Sequence, residues 1–257
     1  MGKFKLYPLG FGSAFNSHEY GNNSWFFVNK DELYIIDCGS TVFNTFKQKG
    51  LDEFENINII ITHMHTDHVG SLGTLIEYMY YVKEVRVKII SAYSLRNDIA
   101  TYLGISGIER YMYEQILHKP DEFDIKLDNI TIEFHETPHV PQLKSYSLAI
   151  VRDKEELIIY SGDTTSGFDE ELFNIYLGFT HMEKLMLTGL YLDKSLNDNT
   201  VHAPAKRYRG FNYDRINRIF SDNNTDVVIM HLDDTIENYE KALGVFEGVN
   251  VTIGGEI

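Results

Sequence analysis

Three imidazoles and one carboxylate fall within six residues in the run His63-Met64-His65-Thr66-Asp67-His68. Each such group costs free energy when it is desolvated without a partner, so packing alone does not account for a cluster this dense. A solvated polar loop is the alternative. Immediately upstream, Asn58-Ile59-Ile60-Ile61-Thr62 reads as a buried strand, which puts the cluster at a strand's C-terminal end. His63 and His65 are two apart; in an extended segment they point the same way and can grip one cation. Asp67 and His68 turn the other way, towards a second. The chemistry implied is hydrolysis supported by two divalent metal ions per chain, with zinc the natural choice and manganese also compatible with histidine and carboxylate donors.

Two ions need more ligands than this run supplies. His139 follows the apolar stretch Ile130 to His135, within Glu136-Thr137-Pro138-His139-Val140-Pro141. Asp163 follows Leu157-Ile158-Ile159-Tyr160, and His231 follows Val227-Val228-Ile229-Met230. In each case a β-branched run delivers one donor into a loop, and rigid strand ends are good places from which to hold a metal.

The elements that must carry these residues are a mixture. Strands are expected at Lys3 to Leu9, Ser24 to Val28, Leu33 to Ile36, Ile57 to Ile61, Val85 to Ile90, Ile130 to His135, Tyr146 to Val151 and Leu157 to Tyr160. Helices are expected at Leu72 to Tyr81, Leu95 to Leu103, Glu170 to Leu177, Asp214 to Phe220 and Ile236 to Leu243. This alternation suits an α/β protein with a mixed sheet or pair of sheets flanked by helices. Two stretches read as irregular: Tyr102 to Pro120, whose Tyr111 and Tyr113 suggest a lid or a dimer contact, and Gly189 to Phe211. No fixed-period repeat or low-complexity linker divides the chain, so residues 1–257 are expected to form a single domain.

The chain has 257 residues, 43% of them hydrophobic, which is enough for a large core. Its formal charge of -15 opposes binding of a long polyanion, because polynucleotide affinity rests on phosphate neutralisation. Small substrates are therefore expected, and long nucleic acid is not. No apolar stretch approaches the roughly 18 residues of a spanning helix, and the opening Met1-Gly2-Lys3-Phe4-Lys5 is not followed by a signal-peptide h-region, so no membrane partner and a cytoplasmic address are expected. The one cysteine, Cys38, reads as a small buried residue after a strand.

The order His-x-His-x-Asp-His, then a distant His, an Asp and a last His, resembles the metallo-β-lactamase superfamily. The resemblance runs from Leu9-Gly10-Phe11-Gly12-Ser13 through Ile35-Ile36-Asp37-Cys38-Gly39 to His231. It implies an αββα four-layer sandwich with the site at one edge. It further implies that His63, His65 and His139 bind one ion, that Asp67, His68 and His231 bind the other, and that Asp163 bridges them. Asp37 matches the acidic residue that orients a ligand histidine in that superfamily; a plain chain-turning Asp is the alternative. An Asp rather than a Cys at the bridging position leans towards phosphoesters and away from antibiotic hydrolysis.

Leu9-Gly10-Phe11-Gly12-Ser13, Asp37-Cys38-Gly39 and His139-Val140-Pro141 with Ser145-Tyr146-Ser147-Leu148 look most like the ribonuclease Z-like branch, whose members are phosphodiesterases. That branch has a further histidine upstream of its last ligand, matched here by Thr200-Val201-His202-Ala203-Pro204-Ala205. The resemblance makes His202 a catalytic candidate, hydrogen-bonding a phosphate oxygen or protonating the leaving oxygen, with Asp67 the other. Lys206, Arg207, Arg209, Arg215 and Arg218 form a local basic cluster suited to phosphate, to a solvated face or to dimer salt bridges. His18, His118, His135 and His181 match no position and read as structural.

No long basic, Gly-rich clamp of the tRNA-processing type is present. The chain is in this respect similar to short phage-type anti-Pycsar cyclic-nucleotide phosphodiesterases. That likeness implies hydrolysis of 3',5'-cyclic nucleotides such as cCMP, cUMP, cAMP or cGMP, and the host cytoplasm if the chain is phage-encoded; the resemblance to ribonuclease Z-like proteins, with the possible lid, implies a homodimer. A ribonuclease Z-like RNA 3'-end endonuclease and a lactone or thioester hydrolase are the alternative enzymes, and a metal-free nucleotide-binding protein is the non-enzymatic one.

Overall fold

The structure is a computed structural model that describes residues 2–15, 19–165, 175, 185–196, 201–203, 225–243 and 251–255. It divides into two compact units. One comprises Leu6–Phe123 with Gly255–Ile257, and the other comprises Met1–Lys5 with Asp124–Gly254.

The first unit carries a six-stranded sheet in the order β1-β2-β3-β4-β5-β6. Its strands are β1 (Tyr7–Gly10), β2 (Ser24–Asn29), β3 (Glu32–Ile36), β4 (Asn56–Ile61), β5 (Val87–Ala92) and β6 (Tyr113–His118). The first three pair antiparallel, and β3 to β6 run parallel. In β4 the residues Ile57, Ile59, Ile60 and Ile61 are all buried, the mark of a central parallel strand covered on both faces. Helices α1 (Val42–Gln48), α2 (Thr66–Val69), α3 (Leu72–Val82) and α4 (Arg96–Ile105) fill the crossovers. Helix α3 buries Leu72, Leu75, Ile76 and Met79, one stripe at helical spacing. Its solvent side joins a polar cluster in which Asp52 accepts from Lys47 Nζ at 2.7 Å and from the Tyr78 hydroxyl at 2.8 Å, with Lys83 Nζ at 3.2 Å. These pairs pull the Asp52 carboxyl below the usual carboxylate range, the Lys47 hydrogen bond most of all.

The second unit carries a seven-stranded sheet in the order β13-β12-β11-β10-β9-β8-β7. Its strands are β7 (Ile125–Leu127), β8 (Ile130–Thr137), β9 (Ser145–Arg152), β10 (Glu156–Tyr160), β11 (Met186–Asp193), β12 (Asp226–Met230) and β13 (Val251–Ile253). Strands β7 to β10 pair antiparallel, and β10 to β13 pair parallel. Helix α5 (Ile236–Leu243) follows β12. Among the described residues no helix is long and apolar enough to cross a membrane.

The expected elements are found to within a few residues wherever they are described. Two readings need correction. Tyr102 to Pro120 is not irregular: it holds the end of α4 and the strand β6, which pairs with β5 from Val87↔Tyr113 to Ala92↔His118. Tyr113 is buried in that sheet under the Arg110 guanidinium, 4.6 Å from its ring, and is therefore no lid residue. Tyr111 is 56% exposed and packs against Tyr80. Likewise, Gly189 to Asp193 is the second half of β11 and not a loop. The helices expected at 170–177 and 214–220, the basic cluster from Lys206 to Arg218, and His18 and His181 lie outside the described residues, apart from Ile175 in the first helix.

Candidate functional site

In the first unit, β4 delivers Thr62 and His63, the chain turns at His65, and one helical turn, α2, carries Asp67 and His68. His63 Nε2 lies 3.0 Å from His65 Nδ1. Two imidazole nitrogens that close either share a proton or converge on a cation. The turn into α2 aims His68 differently, with its Nε2 3.3 Å from Asp67 Oδ2. His63, Asp67 and His68 are all buried.

Asp37 organises this half. It follows β3, and its backbone sits in the left-handed region at φ 63, a costly conformation for a residue with a side chain. Its carboxylate accepts from Thr62 N and Thr62 Oγ1, each at 2.8 Å, and from His68 Nδ1 at 2.8 Å. An acceptor at Nδ1 fixes the proton there and directs ligation to Nε2. Burial pushes the Asp37 carboxyl upwards, while His68 and Thr62 pull against that rise. The expected role of Asp37, orienting a cluster histidine, is the one its geometry gives it.

The backbone around the cluster is stitched to the β3 exit. Cys38 N donates to His68 O at 2.7 Å, Ser71 N to Cys38 O at 3.0 Å, and the Ser71 hydroxyl to Gly39 O at 2.6 Å. From α4, the Tyr102 hydroxyl donates to Val69 O at 3.1 Å, bracing the end of α2. Gly39 is required by close approach, since a Cβ there would stand 1.9 Å from Asp67 O. Cys38 itself is buried, and desolvation pushes its thiol up to about 12, so it is inert as a nucleophile.

In the second unit the donors leave β8, β10, β11 and β12. His139 donates from Nδ1 to Val201 O at 2.9 Å, which directs its ligand chemistry to Nε2, 3.8 Å from Asp163 Oδ2. His231, at φ 60, brings its own Nε2 to 3.2 Å from the same Asp163 oxygen. One carboxylate oxygen thus faces two imidazoles. Asp163 is held from behind by Ser145 Oγ donating to its carbonyl at 3.0 Å.

His202 stands beside these residues. Its ring lies 4.6 Å from that of His231 and 5.2 Å from that of His139. Its Nδ1 is 2.7 Å from Asp193 Oδ2, an oxygen that also accepts from Thr164 N at 3.0 Å. The other Asp193 oxygen lies 3.6 Å from His231 Nδ1. Donor atoms of Asp193, His202 and His231 all fall within 4.8 Å of one another. Burial lowers the proton affinity of His139, and the neighbouring Asp163 only partly offsets it. Burial also acts on His202, but the Asp193 carboxylate, by charge and hydrogen bond together, outweighs it and holds the imidazole above its ordinary pKa.

The structure brings His63, His65, Asp67 and His68 together in one unit, and His139, Asp163, His202 and His231 in the other. The donor chemistry fits divalent metal: buried imidazoles whose second nitrogens are held by Asp37, Val201 or Asp193, with carboxylates to balance charge. Asp193 was missed in the sequence. It ends the apolar run Leu190-Tyr191-Leu192, the same signal that marks Asp163 and His231, but it sits within a stretch read as loop. Thr62 was also missed, as a small residue beside a conspicuous cluster. His135 pairs with Glu133 at 3.2 Å on β8, in keeping with a structural role.

The sequence profile of the family described as Anti-Pycsar protein Apyc1 matches residues 4–250. The Anti-Pycsar protein Apyc1 of Bacillus phage vB_BveM-Goe7 is 26% identical over 254 residues, covering 91% of each chain. Among solved structures, the metallo-beta-lactamase fold protein YhfI from Bacillus subtilis superposes with a TM-score of 0.71 at 19% identity, over 98% of this chain and 97% of its own. The short form of human tRNase Z gives a TM-score of 0.62 at 17% identity, over 88% and 92% respectively. The mixed α/β architecture with two sheets is thus the metallo-β-lactamase fold expected from the ligand pattern.

Proposed function

The chain belongs to the anti-Pycsar protein Apyc1 family, and we propose that it is a metal-dependent phosphodiesterase that opens 3',5'-cyclic nucleotides to nucleoside monophosphates. The observation that carries this reading is the Asp193–His202 pair at 2.7 Å, set against His231 and Asp163. An imidazole held at Nδ1 by a carboxylate expresses its chemistry at Nε2 and is stabilised in the protonated form, which is what a leaving alkoxide needs.

The seven residues His63, His65, Asp67, His68, His139, Asp163 and His231 would serve as one ligand set for two ions, with Asp163 shared between them, on residues 1–257 acting as one domain. When bound, two divalent ions, zinc or manganese, supply Lewis-acid activation of water and stabilisation of charge on the phosphoryl oxygens. The protein's own groups do the rest. Asp37 holds His68, and Asp193 holds His202 and faces His231, so the imidazoles need no reorganisation as charge develops. Asp67 takes the proton of the attacking water as its oxygen bonds to phosphorus. His202 donates from Nε2 to the ribose oxygen as the P–O bond breaks. The charge of -15 and the lack of a basic clamp favour a small nucleotide over RNA. Breakdown of a nucleotide signal as counter-defence in a bacterial cytoplasm, by a homodimer, completes the reading; the family's name and its phage relatives support the counter-defence role.

The test is incubation of the protein, loaded with Zn2+ or Mn2+, with cCMP, cUMP, cAMP and cGMP, and separately with a precursor tRNA and a lactone. Conversion of at least one cyclic nucleotide to its monophosphate is expected. Turnover of only the RNA or the lactone would move the chain to one of the other enzyme classes, and bound metal near zero would make it a binding protein.

A further inference from the structure

The exits of β11 and β12 are tied together by a cluster that uses no metal-binding residue. The Asp233 carboxylate accepts from Leu196 N at 3.1 Å and from the Ser195 hydroxyl, reaching from the loop after β12 to the loop after β11. Tyr239, fully buried on α5, places its hydroxyl 2.6 Å from Asp233 Oδ1 and 2.7 Å from Lys194 O, and accepts from Asp233 N at 3.2 Å. Lys194 N donates back to Met230 O at 3.4 Å, and Ser195 N donates to Ala203 O at 3.0 Å.

Consider where these bonds fall in the chain. Asp233 is two residues after His231. Lys194 and Ser195 directly follow Asp193, and Ala203 directly follows His202. The cluster therefore joins the three backbone segments that carry the carboxylate and the two imidazoles lying within 4.8 Å of one another. His231 holds a left-handed backbone at φ 60, a conformation that persists only when its surroundings over-determine it. Asp233 is half-buried, and hydrogen bonds accepted by a carboxylate are charge-assisted and of the stronger kind.

We infer that Asp233 and Tyr239 are positioning residues, which set the placement of His231 against the Asp193–His202 pair and so tune both metal retention at His231 and proton delivery from His202. This rests on the phosphodiesterase reading for its catalytic half only; the metal half stands on the geometry of the loops.

The experiment compares Tyr239→Phe, which keeps the ring and removes the hydroxyl, and Asp233→Asn, which keeps the shape and removes the charge, with the wild type. A control, Ile150→Val in β9, lowers thermal stability away from the site. Metal affinity is read by titrating Zn2+ into the chelated proteins against a chromophoric competitor. Activity is read as kcat and KM on a cyclic nucleotide. Expected are a roughly 10–100-fold weaker affinity for one of the two ions, a kcat reduced at least tenfold with KM within about twofold, and no such changes in the control at comparable thermal stability. Metal affinity and kcat at wild-type values in both variants would overturn the inference, as would equal losses in the control. Should Asp233→Asn fail to fold, Ser195→Ala removes one of its bonds and is read in the same way. A wild type inactive on cyclic nucleotides would count against the proposed reaction, while the Zn2+ titration would still decide the positioning role.

Discussion

Replacing Asp193 with Asn changes one atom and should expose how much of the chemistry runs through His202. In the native arrangement Oδ2 receives two donors, His202 Nδ1 at 2.7 Å and Thr164 N at 3.0 Å, and Oδ1 faces His231 Nδ1. An amide cannot satisfy all three. With its oxygen at the Oδ2 position it keeps both donors but loses the charge and points an NH2 at His231. With its nitrogen there it opposes Thr164 N. Downgrading a charge-assisted hydrogen bond to a neutral one costs about 1–2 kcal/mol. Expressed in the transition state, that is a fall in kcat of roughly 5–30-fold. The pH profile is the sharper assay. Asp193 raises the imidazole's pKa against burial, and a general acid is active while protonated, so activity falls as pH rises through that pKa. In Asp193→Asn the falling limb should move to lower pH, because burial then acts with less opposition. A variant with the wild-type limb and wild-type kcat would refute the assignment of Asp193 and His202 to proton delivery.

Other perturbations separate the parts of the site. His202→Ala should lower turnover by about 100-fold or more while metal content, measured by elemental analysis, stays at the wild-type level; unchanged turnover would remove His202 from the mechanism. Gly39→Ala forces a methyl against Asp67 O, 1.9 Å away, and should cost about 1–3 kcal/mol in denaturant unfolding together with loss of bound metal. Asp52→Asn tests a stability term remote from the chemistry. The folded-state pKa of Asp52 is depressed, so its contribution is complete above the unfolded carboxylate value of 3.8 and is lost as pH falls towards the lower folded value. The variant should therefore be less stable than wild type near pH 7, and that difference should narrow in acid, as followed by circular dichroism.

The site was legible where strong burial and special chemistry meet in sequence. The isoleucines of β4 announce a central strand, and the dense cluster of histidines after it points to a ligand. The same logic nominated His139, Asp163 and His231, each a short step past an apolar, β-branched run. It overlooked Asp193 because Thr188 and Gly189 interrupt the run of β11, although the structure continues the strand through Asp193. Strand β6 was illegible for a different reason: Tyr113-Glu114-Gln115-Ile116-Leu117-His118 lies at a sheet edge, where charge is tolerated and alternation is weak. The Asp233–Tyr239 tie depends on a loop and a helix meeting in space, which no local pattern encodes.

The measurement that bears most directly on the central claim is product analysis by 31P NMR after incubating the Mn2+- or Zn2+-loaded protein with each 3',5'-cyclic nucleotide. At least one cyclic phosphodiester resonance should be replaced by that of a nucleoside monophosphate, and the conversion should stop when a chelator removes the metal. Persistence of all four cyclic nucleotides in the presence of fully loaded protein would contradict it.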